Sequence, residues 1–264
     1  MNANDLYKQG KLNDAVTAAL DDVKKNPSDG AKRTFLCELL CLTGDLERAD
    51  KQLDALAQLD PDALMPLALF RQLIRAEQAR QQFFTEGRLP EFLDQQITPN
   101  LSKHLEAAIL IREKKPSEAA NMLAAADEIR PKVSGVCDGK PFDEIRDLDD
   151  LTSSFFEVFT STGKYYWIPF ERVDSVEFHP LERPRDLLWR GAHMIVRNGP
   201  DGVVYIPTLY PGSAAEKDDQ YRLGRATEWR GEDGVPIRGA GQRVFLIGED
   251  DKSILEVQSM QFTL

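Results

Sequence analysis

The sequence predicts an α+β chain. A tetratricopeptide-like α-helical repeat region spans residues 1–131, and a mainly β region follows over 132–264, as a twisted sheet or small partly open barrel with one or two helices. Three observations carry that expectation. Gly10, Ala15 and Pro27 are matched 34 residues later by Gly44, Ala49 and Pro61, and 34 is the period of a helix–turn–helix repeat. Ala119 and Pro131 reproduce the alanine-to-proline spacing of 12. Beyond Pro131 helical periodicity gives way to short runs of aromatic and β-branched residues.

Each landmark has a physical role. Glycine ends the first helix of a hairpin in a tight turn, alanine lets the second helix pack closely on it, and proline stops that second helix. A single hairpin cannot bury its apolar face, so neighbours must stack. The stretch "LMPLALFRQLIRAEQARQQFFTEGRLPEFLD" is helical in period but out of step with the landmarks, and reads as a degenerate repeat with an altered turn near residues 87–90. "PKVSGVCDGKP" marks the junction. After it, "KYYWIPF", "VDSVEF", "HMIVRN", "GVVYIPTLY" and "VFLIG" read as strands. "NGPDG" reads as a hairpin turn, and "GEDDKS" as another joining "RVFLI" to "ILEVQSMQF". Trp189 reads as core. Arg183, Arg185, Asp186 and Arg190 are expected to form an ion-pair network, and the glycines at 224, 231, 234, 239 and 241 a flexible connection.

The formal net charge is −11, and acidic residues outnumber basic ones in both halves. No nucleic-acid surface is expected on such a chain. No apolar run approaches the roughly 18 residues of a membrane span, and the first residues lack the pattern of a signal peptide, so no membrane contact and a cytoplasmic location are expected. Of three cysteines, Cys37 and Cys41 lie four apart in a helical stretch, which suits buried thiols.

Motifs for chemistry are sparse, and no catalytic, cofactor-binding or metal-binding residue is assigned. Glu177 and His179 share one face of a strand, with His193 as a third possible ligand, but the spacing matches no zinc signature. Ser213 in "YPGSAAE" lacks the GxSxG elbow and reads as a turn or cap. No GxGxxG or GxxxxGK[ST] is present. The alternative to a binding protein is a hydrolase-type enzyme with a site in the β region around His179, His193 and Asp218.

Five ordered blocks carry a resemblance: "RDLDDLTSSFFEVFTSTGKYYWIPFERVDSVEF", "RPRDLLWRGAHM", "YIPTLYPGSA", "LGRATEW" and "GAGQRVFLIGED". They resemble the ImpE family, also called TagJ or SciE-type, accessory components of bacterial type VI secretion systems. The resemblance implies an accessory protein with no assigned catalytic activity, and no cofactor is expected. It implies binding to TssB, the small subunit of the contractile sheath, through a helix near that subunit's N-terminus. It also implies a link to sheath assembly or to recycling by the ClpV unfoldase. A solenoid of helical hairpins offers a groove suited to such a helix. If the first helix of each hairpin lines it, repeat phase nominates Thr34, Glu38 and Cys41, then Arg71, Arg75 and Gln78, then His104, Ala108 and Ile111. On that expectation Glu38→Lys tests the groove with little effect on the fold.

Overall fold

One turn geometry recurs three times in the first half of the computed structural model, which describes residues 1–59, 64–94 and 96–263. It closes hairpins between α1 (Ala3–Lys8) and α2 (Leu12–Lys25), and between α3 (Gly30–Leu42) and α4 (Leu46–Leu59). After α5 (Leu64–Glu86) it closes a third, between α6 (Pro99–Arg112) and α7 (Pro116–Glu128). In each, the residue after the turn donates its N–H back over five positions: Lys11 to Leu6, Asp45 to Leu40, Lys115 to Leu110, at 2.9–3.0 Å. That closure needs a left-handed residue just before it. Gly10 (φ 78°) and Gly44 (φ 73°) supply it in the first two hairpins, and Lys114 (φ 60°) in the third. Ala15, Ala49 and Ala119, five positions beyond those residues, are fully buried where the paired helices meet. The landmark Pro61 lies outside the described residues.

The segment after α4 departs from the expected degenerate repeat. Residues 64–86 form a single 23-residue helix, with no hairpin. Gly87, at φ 86°, ends α5, and the chain then runs extended. The α5 side chains Phe70, Leu73, Ile74 and Phe83 are buried, so its apolar face is covered along most of its length.

The second half is built on an antiparallel eight-stranded sheet. Its strands are β1 (Ser134–Cys137), β2 (Lys140–Phe142), β4 (Phe155–Thr160), β5 (Tyr165–Pro169), β6 (Val173–Phe178), β7 (Trp189–Val196), β8 (Asp201–Pro207) and β13 (Ser259–Thr263), in the order β2-β1-β13-β6-β7-β8-β4-β5. The sheet does not close. Beside the β5 edge, Glu91 pairs its backbone with Tyr165 and Trp167. A second sheet orders β12 (Asp250–Ser253), β11 (Val244–Ile247) and β3 (Ile145–Asp147). Phe245 and Ile247 of β11 join Phe156, Phe170, Met194 and Phe262 in a core shared by the two sheets. A hairpin of β9 (Thr227–Arg230) and β10 (Arg238–Gly241) and the short helix α8 (Asp219–Arg222) complete the fold.

The "NGPDG" turn joins β7 to β8 as expected, with Asn198 at φ 53°. Three other expectations are corrected. The turn after β11 is only residues 248–249; 250–253 pair back as β12, while β13 crosses to β1 and β6 of the large sheet. Arg183, Arg185, Asp186 and Arg190 form no common ion-pair network among the described residues. Asp186 accepts the backbone N–H groups of Glu182 and Arg183, Arg185 lies over the Phe70 ring, and Arg190 donates to the carbonyls of Ile254 and Val257. Gly239 and Gly241 form no flexible connection either. They lie in β10, where a Cβ would strike the Tyr210 ring or the Ala226 carbonyl.

Lys114 is the one side-chain-bearing residue in the recurrent turn position. Lys114→Gly is expected to raise stability by about 0.5–1 kcal/mol, since relief of the left-handed strain exceeds the added chain entropy. Chemical denaturation of both proteins checks the sign.

Candidate functional site: a cleft between helices and sheet

The inner face of the helical layer packs on the chain's own sheet. Phe70 and Phe83 of α5 share one apolar core with Phe155, Phe159, Trp167 and Trp189 of β4, β5 and β7. Phe83 meets Trp167 edge-on at 4.8 Å, and Phe155 stacks on Trp167 at 4.1 Å.

Through this apolar contact runs a buried charge network centred on Glu157, which is fully excluded from solvent. Arg80 of α5 grips its carboxylate with two parallel N–H groups at 2.9 and 2.8 Å and gives a third bond to the Leu209 carbonyl. Arg243 donates to the same carboxylate, and Tyr165 adds its hydroxyl at 2.5 Å while accepting from the Trp167 indole. Arg243 also faces Asp147, which accepts the Tyr210 and Thr152 hydroxyls. Burial alone raises a carboxyl pKa, but here the two guanidiniums override it and hold Glu157 at about 2. Asp147 has one guanidinium and a neighbouring Asp149, so burial prevails and pushes it up to about 6.

Beside this junction the two layers part to leave a cleft of about 930 Å³. One wall is α5 from Glu77 to Glu86, together with Ala108, Ile111 and Arg112 of α6. The other comprises Leu188, Trp189 and the loop 209–215, and the α3–α4 turn with Cys41, Gly44 and Glu47 closes an end. Glu77 lies low in the cleft, accepts the Trp189 indole N–H at 3.1 Å and sits 3.5 Å from Arg80. Burial raises its pKa.

The nine residues nominated by repeat phase fall in different places. Cys41, Gln78, Ala108 and Ile111 line the cleft. Glu38 is buried on α3, which packs against the 3₁₀ turn Pro184–Leu187. His104 is buried against Ser154 and Phe155, and burial lowers its pKa to about 4. Arg71 turns toward α4 and pairs with Asp50 and Asp54. Thr34 bonds the Gly30 carbonyl in its own helix, and Arg75 is exposed. The face nominated from repeat phase is thus divided between the cleft, contacts with the chain's own second half at Glu38 and His104, and positions elsewhere. Glu38→Lys would therefore bury a second cation beside Arg185, contrary to the mild effect expected from the sequence.

Of the hydrolase alternative, His179 and His193 share one sheet face, His179 lying against Gly191, two positions along β7 from His193, whereas Asp218 belongs to a different element. His193 bonds Asp201 at 2.6 Å on an exposed sheet face, opposite Glu177 in the register. Asp218 caps α8 through the Gln220 N–H. Ser213 is a buried turn residue whose hydroxyl donates to the Tyr210 carbonyl and accepts from the Gly241 N–H. Among the described residues no group of three or more His, Cys, Asp or Glu side chains could hold a metal ion. Cys37, Cys41 and Cys137 are free and buried.

Comparison with known proteins agrees with this architecture. The family model described as ImpE protein matches residues 139–261. TagJ of Pseudomonas aeruginosa, a type VI secretion system accessory component, is 30% identical over 262 residues, covering 99% of this chain and 91% of that protein. The chain belongs to the ImpE/TagJ family. The crystal structure of protein VPA1032 from Vibrio parahaemolyticus shares the fold from end to end, with a TM-score of 0.92 at 24% identity over 99% of this chain and 97% of that one. The family match takes in Asp147, Glu157 and Arg243 of the network, whereas Arg80 lies outside it on the helical side.

Sequence reasoning did not nominate Glu77, Arg80, Glu157 or Arg243. A signal existed for one of them: Glu157 interrupts "FFEVF", where a lone charge in an aromatic strand needs a buried partner.

Glu38 offers a pH test of this packing. Burial, opposed by Arg185, pushes its carboxyl up to about 7 from an ordinary value of 4.5. The folded state therefore favours the protonated form, an advantage complete below pH 4.5 and lost as pH rises through about 7. Glu38→Gln is expected to raise stability at pH 8 by on the order of 3 kcal/mol and to change it little at pH 4. Urea unfolding at the two pH values measures both.

Proposed function

We propose that this chain is a non-enzymatic accessory protein of a bacterial type VI secretion system, working in the cytoplasm. In this reading it binds the small sheath subunit TssB by seating a helix of that subunit in the cleft between the helices and the sheet. Sheath assembly or recycling follows from that contact, and ClpV is engaged only indirectly. The family relationship along nearly the whole chain supports the assignment to the secretion system. No helix among the described residues is long and apolar enough to cross a membrane.

The observation that carries the binding mode is the size and lining of the cleft. One turn of α-helix with its side chains fills ~420 Å³, as a cylinder ~10 Å across and ~5.4 Å tall. A space of about 930 Å³ is thus comparable in volume with about two turns. Phe84 and Ile111 give apolar surface for anchors, and Gln78, Gln81 and Gln82 give a polar margin. Of the residues nominated from the sequence, Gln78 and Ile111 carry the contact in this proposal, with Cys41 and Ala108 buried behind them.

The test is a titration of the full-length protein with a synthetic peptide spanning the N-terminal helix of the cognate TssB. Saturable binding is expected, weakened at least about tenfold by Ile111→Glu. A peptide that does not bind, or binds equally well to that variant, overturns the proposal.

A further inference from the structure

The charges around the cleft are not balanced within the chain. Of its arginines, Arg80 is taken by Glu157, and Arg238 donates to both oxygens of Asp149 at 2.8 and 2.9 Å. Arg112 donates to the Phe83 carbonyl and lies over the Phe83 ring. Asp45 is likewise committed, accepting the Arg48 backbone N–H and pairing with its guanidinium. Glu47 and Glu86 line the cleft, are exposed, and have no ion pair among the described residues. Glu77, lower in the cleft, shares Arg80 only at 3.5 Å while that guanidinium is held more closely by Glu157. Arg112 keeps its charge, since no carboxylate pairs with it among the described residues, but Glu47, Glu77 and Glu86 outnumber it, so the cleft holds an excess of acidic groups beside the partly exposed ring of Phe84.

We infer that the occupant of the cleft is a cationic amphipathic helix, with a lysine or arginine reaching Glu77 and further basic residues facing Glu47 and Glu86. This deepens the proposed function and rests on its reading of the cleft as a helix-binding site. The long stem of a basic side chain can run along the apolar wall while its head reaches the carboxylate. The partly exposed ring of Phe84 is compatible with the same cation. Opposite charge at this depth sets partner choice more than total affinity, because an acidic helix leaves Glu77 facing a like charge in a poorly hydrated place.

The experiment uses two designed 14-residue alanine–leucine helices, identical except that two boundary positions hold lysine in one and glutamate in the other. Their binding to the full-length protein is read by fluorescence anisotropy. The lysine helix is expected to bind at least about tenfold more tightly, with the preference shrinking at high salt. Glu77→Gln, which can still accept the Trp189 N–H, is expected to remove most of the preference. The double variant Glu47→Gln, Glu86→Gln reduces it without touching a buried group. Equal binding of the two helices, or a preference unchanged in Glu77→Gln, overturns the inference. So does binding of the TssB peptide when neither designed helix binds, a result that leaves the proposed function standing. Selective capture of the lysine helix with no binding of the TssB peptide does the reverse: it supports the inference and removes the partner.

Discussion

Glu157 is a carboxylate placed where no water reaches it, and the arrangement of this molecule follows from how it is neutralised. A lone buried carboxylate is too costly to remain charged. Here it receives one guanidinium from α5, another from the segment just before β11, and a tyrosine hydroxyl from β5. Those donors come from three places in the chain, so the charge is satisfied only when helices and both sheets are assembled together. The surrounding aromatic cluster supplies most of the apolar burial, while the ionic contact restricts its geometry, because a bidentate arginine tolerates little sliding of α5 along β4.

The cleft is a by-product of the same restraint. The helical layer is anchored to the sheet near Arg80, and Arg80 and Glu77, one helical turn apart, both face the cleft. Its walls are consequently formed by elements fixed elsewhere, which favours a preformed site with a low ordering cost on binding. A concave solenoid face alone would present a long, open groove. The sheet covers much of that face and leaves a shorter, two-sided space in its place.

Much of the fold was legible in local chemistry. Gly10, Gly44 and the three buried alanines mark turns and close contacts whose requirements are met within a few residues. The "NGPDG" hairpin is equally local. The candidate site was legible only in part, since repeat phase led to Cys41, Gln78, Ala108 and Ile111 but also to Glu38, buried against the turn 184–187, and to His104, buried against Ser154 and Phe155. Periodicity says which side of a helix is inner; it does not say whether another chain or the same chain will cover it. The pairing of Glu157 with Arg80 and Arg243 spans 77 and 86 residues, and no spacing rule connects such positions. The return of β13 to β1 and β6 is non-local in the same way.

The most direct measurement is equilibrium unfolding of Glu157→Gln, a substitution that keeps shape and removes charge, followed by tryptophan fluorescence and by far-ultraviolet circular dichroism. If the buried carboxylate joins helices to sheet, the variant leaves Arg80 with only Glu77 and Arg243 with only Asp147 and loses about 3–5 kcal/mol, and the fluorescence of Trp167 and Trp189 at the junction reports the loss. A variant within about 0.5 kcal/mol of the parent, with the same fluorescence transition, would contradict the account.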